Sequence, residues 1–351
     1  MRNFDYAKYK NALWTSEILS LVALIHEFKG KQELYRVKKP VTLEKLVETA
    51  KIQSTESSNA IEGIHTTNAR LKQLCSEKTA PKNRAEEEIA GYRYVLNEIH
   101  ENFTHIPVTP NYILQLHRDL YRYSAKDIGG KYKTGQNQIV AEDADGKRFV
   151  LFTPPDALET PDALKNACGT YASAVALKEV DALLLIPIFI HDFLCIHPFD
   201  DGNGRMSRLL TTLLLYREGY TVGRYISLES KINVTKSSYY DALRQSEKGW
   251  YDGNENAAPF IVYLLGTIVA AYRDLDERIS AAELKTDAVQ YVRQAAETKY
   301  GKFTKSDIMD LCPAIGRATT ENSLTRLVKD GVLDRYGSGR ATYYIRHDGT
   351  L

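Results

Sequence analysis

Disulfide and zinc-binding patterns are missing from this chain of 351 residues. Its four cysteines, at positions 75, 168, 195 and 312, lie far apart and form neither a CxxC pair nor a zinc-ligand spacing. We therefore expect no disulfide framework and no structural metal. Thiols that stay unpaired suit a reducing compartment, and we predict a cytoplasmic protein.

An excess of charge of either sign is also missing. The chain has 46 Lys and Arg residues against 45 Asp and Glu residues, a formal net charge of +1. This balance gives no overall field that would attract nucleic acid or an anionic membrane, so any such contact has to be local. No apolar run approaches the ~18 residues of a membrane span. The N-terminal sequence MRNFDYAKYKNALW does not have the pattern of a secretory signal. We expect no membrane partner.

The chain is long enough for two or three domains. The pattern that is present is helical periodicity. In the first hundred residues, apolar side chains recur at three- and four-residue spacing without a strand pattern between them. Helical patterning resumes near Pro161, passes through the apolar run 182–190, and continues with a second buried helix from about Gly204. One hairpin interrupts it, in which residues 138–140 and 148–152 flank the turn 143–146. The predicted fold class is mainly α.

The last quarter of the chain has a different pattern. A short helix opens at Thr304, a second covers Arg317–Lys329, and residues 332–345 alternate around Gly337 as a small hairpin. This order resembles a winged helix-turn-helix module. Such modules bind DNA through cations, here at positions 317, 326, 329, 335 and 340. Because Asp330 and Asp334 dilute that charge, we favour a role in docking targets or packing against the rest of the chain.

One loop, HPFDDGNGRMSR at positions 197–208, concentrates residues that suit a bound phosphate. Gly202 and Gly204 let the backbone turn tightly at the start of a helix, where N–H groups and the helix dipole favour an anion. Arg205 and Arg208 are spaced i, i+3 and project from one helix face. Their planar guanidinium groups can hold phosphate oxygens bidentately. The loop therefore predicts a polyphosphate site.

Two further side chains of the loop suggest a reaction on a hydroxyl. Asp201 offers an oxygen ligand for Mg²⁺, which binds through one or two carboxylates together with substrate phosphates. His197, with an ordinary pKa of ~6.5, can accept a hydroxyl proton. Each residue alone has a structural explanation, such as Asp201 and Asn203 capping the helix. Their combination in one loop predicts a catalytic site for a magnesium-bound nucleotide.

This loop resembles the signature of the Fic (filamentation induced by cAMP) family, HPFx[D/E]GNGRxxR, and matches it at every specified position. The resemblance implies that His197 deprotonates a target hydroxyl and that Asp201 holds Mg²⁺ on the α- and β-phosphates of ATP. It also implies a phosphate cradle, with backbone amides and an asparagine on the α- and β-phosphates and two arginines on the β- and γ-phosphates: Gly202, Asn203, Gly204, Arg205 and Arg208.

The resemblance covers roughly residues 50 to 270 and extends to three other elements. The hairpin takes the place of the flap that pairs with an extended target segment. Tyr239 and Tyr240 are similar to a tyrosine pair that lines the adenine pocket. The sequence SNAIEG at 58–63 resembles the inhibitory motif [S/T]xxxE[G/N], which implies that Glu62 pairs with Arg208 and excludes the γ-phosphate. An exposed helix end closed by a glycine is the structural alternative.

Together these features predict a protein adenylyltransferase, autoinhibited by Glu62, that uses ATP and Mg²⁺ to transfer AMP to a Tyr, Ser or Thr hydroxyl of a target protein. We predict an N-terminal helical region with the inhibitory helix (1–105), a Fic-type helical core with a hairpin flap (106–275) and a C-terminal winged helix-turn-helix domain (276–351). Three alternatives remain open: another donor nucleotide, removal of AMP, and a DNA-binding regulator that senses nucleotide. Self-modification and a homodimer also remain open.

Overall fold

The computed structural model describes residues 2–76, 78–142, 148–299, 301–312 and 315–347. The predicted turn at 143–146 lies outside the described residues, as does the side chain of Arg340. The chain divides into two compact units, Met1–Leu275 and Asp276–Leu351. The mainly helical fold class is confirmed, whereas the winged-helix assignment stays a prediction.

Helices dominate the first unit. Those that begin before the hairpin are α1 (Ser16–Lys38), α2 (Pro40–Ile61), α3 (Asn68–Cys75), α4 (Arg84–Asn102) and α5 (Pro110–Leu120). Those that follow it are α6 (Thr160–Leu177), α7 (Ala182–Ile196), α8 (Asn203–Arg217), α9 (Leu228–Val234), α10 (Lys236–Glu247) and α11 (Ala258–Glu297), the last of which continues past Leu275 into the second unit. Short 3₁₀ turns join them at Ala7–Lys10, Phe103–His105, Val222–Arg224 and Trp250–Asp252.

Helices α7 and α8 form the centre of the first unit, and they carry the predicted catalytic loop between them. Almost every side chain of both helices is buried, including Phe193, Leu209 and Leu213. The helix α7 begins where the Asp181 carboxylate accepts a hydrogen bond from the backbone N–H of Leu183. Burial on all sides explains why α7 is a nearly continuous apolar sequence, whereas α8 also buries the polar side chains of Asn203, Arg205 and Arg208. The loop between them is therefore held by two rigid elements.

The predicted hairpin consists of β1 (Ile139–Glu142) and β2 (Arg148–Phe152), which pair antiparallel. Val140 lies opposite Val150, and an irregularity between Ile139 and Val140 shifts the register by one residue. The side chains of Val140 and Val150 are 52% and 47% exposed. A two-stranded sheet leaves the outer edges of both strands unpaired, so it offers backbone groups to a further strand.

The second unit contains α12 (Lys305–Leu311), α13 (Arg317–Lys329), β3 (Leu333–Tyr336) and β4 (Tyr343–Arg346). The strands β3 and β4 pair antiparallel, and Phe303 forms an isolated bridge to Tyr344. A small apolar core holds these elements together, with Ile308 and Leu324 at its centre. Two cations of the predicted DNA-binding set face carboxylates, Arg317 at Glu321 and Arg326 at Asp330.

One helical stretch meets the length and composition of a membrane span, which the sequence analysis did not anticipate. This stretch, Ala258–Ser280, has 23 residues and a mean hydropathy of 1.3. Its side chains at Ile261, Leu265 and Ile268 are buried within the first unit. A helix buried in a protein core passes the same test.

Candidate active site

The loop after α7 is shaped by two left-handed residues. His197 has φ +49° and closes α7, with its N–H donating to the carbonyl of Phe193 at 3.0 Å. Gly202 has φ +86°, a conformation that side chains disfavour, and α8 begins at the next residue. The glycine is therefore required by the turn that aims the start of α8 at the site.

Hydrogen bonds from a preceding segment hold the first half of the loop. The Asn137 amide donates to the carbonyls of His197 and Phe199, at 3.2 and 3.3 Å. The Lys133 ammonium is buried and donates to the carbonyl of Ile196 at 3.2 Å and to Asn137 at 2.9 Å. Burial lowers the pKa of Lys133 to about 8. Sequence analysis missed both residues, because the contact depends on where the chain returns after α5.

The side chain of Asn203 organises the loop itself. Its Oδ1 accepts from the Phe199 N–H at 3.0 Å, and its Nδ2 donates to the Phe199 carbonyl at 2.8 Å. The ring of His117 stacks on Phe199 at 3.7 Å between centroids. The His117 Nδ1 accepts from the Gly130 N–H, so its Nε2 donates to the carbonyl of Asp201 at 3.0 Å. Burial lowers the pKa of His117 to about 4, which keeps it neutral in this role.

A cavity of about 460 Å³ opens beside the loop. Six of the ten predicted site residues line it: Glu62, His197, Gly204, Arg208, Tyr239 and Tyr240. The hairpin contributes Ile139, Val140 and Leu151 to the wall. The four other predicted residues, Asp201, Gly202, Asn203 and Arg205, belong to the loop and the first turn of α8 outside this lining. The structure thus brings a base, an arginine and an aromatic pair to one concave surface, with the hairpin over it.

His197 is placed to accept a proton. Its Nδ1 lies 3.2 Å from the carbonyl of Leu194, so the proton is on Nδ1 and Nε2 has a free lone pair. Burial lowers the pKa of His197 to about 4, and the hydrogen bond to Leu194 only partly opposes this effect. The imidazole is therefore neutral at pH 7, which is the state a general base requires.

Arg208 is buried at 3% exposure, and its guanidinium is bound by residues at the end of α2. Its Nη2 lies 2.8 Å from a carboxylate oxygen of Glu62 and 2.9 Å from the carbonyl of Ser58. Its Nε donates to the Ser58 hydroxyl at 2.8 Å. The residue after Glu62, Gly63, has φ +75° and ends the helix. The Glu62 side chain is 33% exposed, so it reaches from the helix end into the cavity.

The first turn of α8 leaves no room for a side chain beside Glu62. A Cβ built on Gly204 would collide with the Glu62 carboxylate and would lie 3.4 Å from Nη1 of Arg208. The Glu62 carboxylate thus fills the space next to the N–H groups of the helix start. An anion held by these N–H groups and an anion held by Arg208 would both have to displace it.

Arg205 is turned into the interior instead of the cavity. It is 1% exposed, and its Nη1 forms an ion pair with Glu88 of α4 at 2.8 Å. Its Nη2 donates to the hydroxyl of Tyr121 at 2.9 Å and lies 3.8 Å from Asp201. Sequence analysis did not single out Glu88 or Tyr121, since they are 117 and 84 positions away in sequence. In this arrangement Arg205 fixes the position of the loop.

Asp201 lies on the other side of the loop, with its side chain 39% exposed. Burial by itself would raise the pKa of Asp201, but a hydrogen bond from Lys126 at 3.1 Å and the charge of Arg205 outweigh it and lower the pKa. Within the described residues no three His, Cys, Asp or Glu side chains cluster as a metal site. One ionised carboxylate fits Mg²⁺ in the way that this ion binds together with substrate phosphates.

The far end of the cavity is formed by one face of α10. Tyr239 is buried and its ring meets that of Tyr240 edge to face at 5.3 Å, whereas Tyr240 is 42% exposed. Leu243 and Glu247 follow on the same face, since they lie three and seven residues after Tyr240. Burial raises the pKa of Glu247 to about 7. Lys236 ties this helix to α2 by donating to the Ile61 carbonyl at 2.6 Å.

Part of the chain is similar to proteins of a known family. Residues 107–215 match the model of the Fic/DOC family. Over 214 residues the chain is 23% identical to a protein adenylyltransferase Fic of Nematostella vectensis, a match that covers 59% of this chain and 46% of that protein. Over 101 residues it is 30% identical to a probable protein adenylyltransferase of Aquifex aeolicus, covering 28% of this chain and 27% of that one. The chain thus spans about half or less of the length of these relatives.

Solved structures share the fold. A Fic family protein from Desulfovibrio desulfuricans superposes with a TM-score of 0.63 at 22% identity, covering 100% of this chain and 99% of that one. A Fic domain containing signaling protein from Bacteroides thetaiotaomicron superposes with a TM-score of 0.59 at 24% identity, covering 74% and 94%. Residues 107–215 therefore form a Fic/DOC family domain, and these structures show that the mainly helical fold is shared.

Proposed function

We propose that this chain transfers AMP from ATP to a hydroxyl group of a target protein, and that Glu62 restrains this activity. The observation that carries the proposal is the cavity in which neutral His197, the start of α8 and Arg208 meet within a Fic/DOC domain. The relatives named as protein adenylyltransferases support the same reaction class. ATP is the proposed donor, with Mg²⁺ as the accompanying ion.

Each residue of the site has its own role in the proposed reaction. Nε2 of His197 takes the proton of the acceptor hydroxyl as its oxygen bonds to the α-phosphorus, and the bond from that phosphorus to diphosphate breaks. The N–H groups at the start of α8 and the guanidinium of Arg208 hold phosphate oxygens and stabilise the charge that develops on diphosphate. Asp201 would hold Mg²⁺, which supplies further neutralisation of phosphate charge. Tyr239, Tyr240 and the apolar wall hold the nucleobase.

Glu62 accounts for the restraint. Its carboxylate occupies the place on Arg208 and beside Gly204 that a terminal phosphate would use. Two negative groups cannot share this place, so ATP binds in a productive orientation only when Glu62 moves away. Because α2 supplies both Ser58 and Glu62 to Arg208, release requires a shift at the end of α2.

Labelled donors test the reaction. We expect purified Glu62→Gly protein to transfer label from ATP marked at the α-phosphorus, and none from ATP marked at the γ-phosphorus, to protein in a lysate or to itself. Retention of the γ label would mean phosphate transfer, and preference for UTP or another donor would replace AMP as the transferred group. His197→Ala in the same background is the matched control, which should retain no label.

The same label also tests one alternative. Removal of AMP would appear as loss of label from a modified target after the donor is withdrawn. Duplex DNA binding has less support, because Arg317 and Arg326 each face a carboxylate.

The cytoplasm is the compartment we propose, since all four cysteines are free and buried.

A further inference from the structure

Residues 2–10 are held by a group of buried and half-buried polar contacts. We call residues 2–10 the N-terminal strap. Arg2 is 6% exposed, and its guanidinium donates to both oxygens of the Glu255 carboxylate, at 2.8 and 2.6 Å, and to the carbonyl of Trp250. Tyr9 and Lys8 donate to the same carboxylate, at 2.6 and 3.1 Å. A buried bidentate pair of this kind fixes both partners in position.

Trp250 connects the strap to the catalytic helix. Its ring lies 4.8 Å from the Arg2 guanidinium, and its Nε1 donates to Asp192 of α7 at 2.6 Å. Arg2 itself lies 3.3 Å from the same Asp192 oxygen. Asp192 is five residues before His197 and is 1% exposed. The strap therefore shares one buried polar network with the helix that positions the proposed base.

Trp250 and Tyr251 also contact the base of the hairpin, at Phe152 and Thr153. Phe152, the last residue of β2, meets Trp250 edge to face with centroids 5.8 Å apart, and stacks on Tyr251 at 5.7 Å with an interplanar angle of 19°. The Tyr251 hydroxyl donates to the carbonyl of Thr153 at 2.6 Å. Phe152 pairs with Ile139 across the hairpin, and Ile139 lines the cavity. Movement of Trp250 would thus be transmitted to both strands.

We propose that the N-terminal strap is a positioning element that, through Trp250, holds the hairpin in place relative to His197. Removing Arg2 leaves the Glu255 and Asp192 carboxylates buried without their guanidinium partner, and such groups draw in water or move apart. The face of Trp250 then loses its cation, and Phe152 loses a fixed ring to pack against. The base of the hairpin loosens while the catalytic loop keeps its own hydrogen bonds to Asn137 and Asn203.

Amide hydrogen exchange tests this coupling without any assay of activity. In Arg2→Ala, we expect amides of β1 and β2 to exchange at least tenfold faster than in the unmodified protein. Arg70→Ala is the matched control, since Arg70 forms a comparable ion pair with Glu86, at 2.5 Å, between α3 and α4. The control should leave hairpin exchange unchanged. Equal hairpin exchange in both variants would overturn the proposal.

A second variant covers the case in which Arg2→Ala does not fold. Tyr251→Phe removes only the hydroxyl that bonds Thr153 and keeps the ring stack on Phe152. We expect faster exchange at the end of β2 in this variant than in the unmodified protein, by a smaller factor than that expected for Arg2→Ala. Unchanged exchange at β2 in Tyr251→Phe would contradict the link between this turn and the hairpin.

The consequence for catalysis rests on the proposed function. If the hairpin presents the acceptor segment, Arg2→Ala in the Glu62→Gly background should raise KM for the acceptor protein at least fivefold and leave KM for ATP within twofold. A merely destabilised enzyme would lose kcat at unchanged KM for the acceptor, and that result would contradict the positioning role. An inactive parent enzyme would instead contradict the proposed function, while the exchange experiment still decides the coupling.

Discussion

Glu62 and Arg208 form an ion pair at 2.8 Å across 146 positions of sequence, between the end of α2 and the second turn of α8. The Nε of Arg208 also donates a hydrogen bond to the Ser58 hydroxyl. Two of the three guanidinium nitrogens, Nε and Nη2, are therefore held by the end of α2, and their release is the event on which the proposed regulation depends.

Glu62→Gly removes the carboxylate and leaves Arg208 free for phosphate. We expect the rate of AMP transfer to rise about tenfold or more, as expected for a coupling of roughly 1–3 kcal/mol between two sites. Mass gain on the acceptor measures the rate. Glu56→Gly, at an exposed position of the same helix, controls for the helix-weakening effect of glycine. Equal rates in the two variants would remove the restraining role of Glu62.

Gly204→Ala tests the contact between α8 and Glu62 through stability alone. The added Cβ displaces the end of the Glu62 side chain and so disturbs its ion pair with buried Arg208, and we expect a loss of ~1–3 kcal/mol in the free energy of unfolding. In the Glu62→Gly background the obstacle is gone, and most of this loss should disappear. Urea unfolding of the four proteins measures the coupling. The same loss in both backgrounds would mean that Glu62 does not occupy this space.

His197→Ala should abolish transfer while ATP binding persists, because the imidazole takes part in proton transfer and not in holding phosphate. Burial places the pKa of His197 at about 4, so the neutral base is present at every pH well above that value. We expect the fall in rate due to its protonation to be centred near pH 4 in a single-turnover pH profile. A half-maximal rate at pH 6.5 that His197 controls would contradict this environment.

Asp201 and its neighbour Asp200 form a matched pair for testing the metal ligand. Asp201→Asn should weaken ATP binding in the presence of Mg²⁺ by about tenfold and leave binding in its absence little changed, since one carboxylate ligand is lost. Asp200→Asn changes an exposed side chain of the same loop and should have no effect on either value. Calorimetry with and without the ion distinguishes them. Equal effects of the two substitutions would argue against a ligand role for Asp201.

His117 makes the free energy of unfolding depend on pH. Its pKa is lowered from about 6.5 in the unfolded chain to about 4 in the folded protein, so the unfolded state binds the proton first as the pH falls. Stability from this group is complete above pH 6.5 and is lost on acidification toward pH 4. Between pH 7 and pH 5 the loss is roughly 2 kcal/mol. His117→Gln should reduce the pH dependence by that amount in urea unfolding, and an unchanged dependence would contradict it.

Much of the fold could be predicted from local patterns. Apolar spacing placed α7 and α8, and alternation with a turn placed the strands β1 and β2, since both patterns record which face of an element is buried. The length of the apolar stretch in α11 was underestimated, because charged residues interrupt the apolar run. These residues do not prevent burial of the stretch. The domain boundaries and the winged-helix assignment stay predictions.

The residues of the loop, and the chemistry that they suit, were determined by the sequence alone, because a base, an acid, two glycines and two arginines lie within twelve positions and local geometry places them together. Only the tertiary structure decided how each is used. It turned Arg205 toward Glu88 and away from the cavity, set Glu62 on Arg208, and connected Arg2 to the hairpin through Trp250. These contacts join residues that lie far apart in the chain. A buried charge needs a partner, but no local sequence pattern shows which distant residue that partner is.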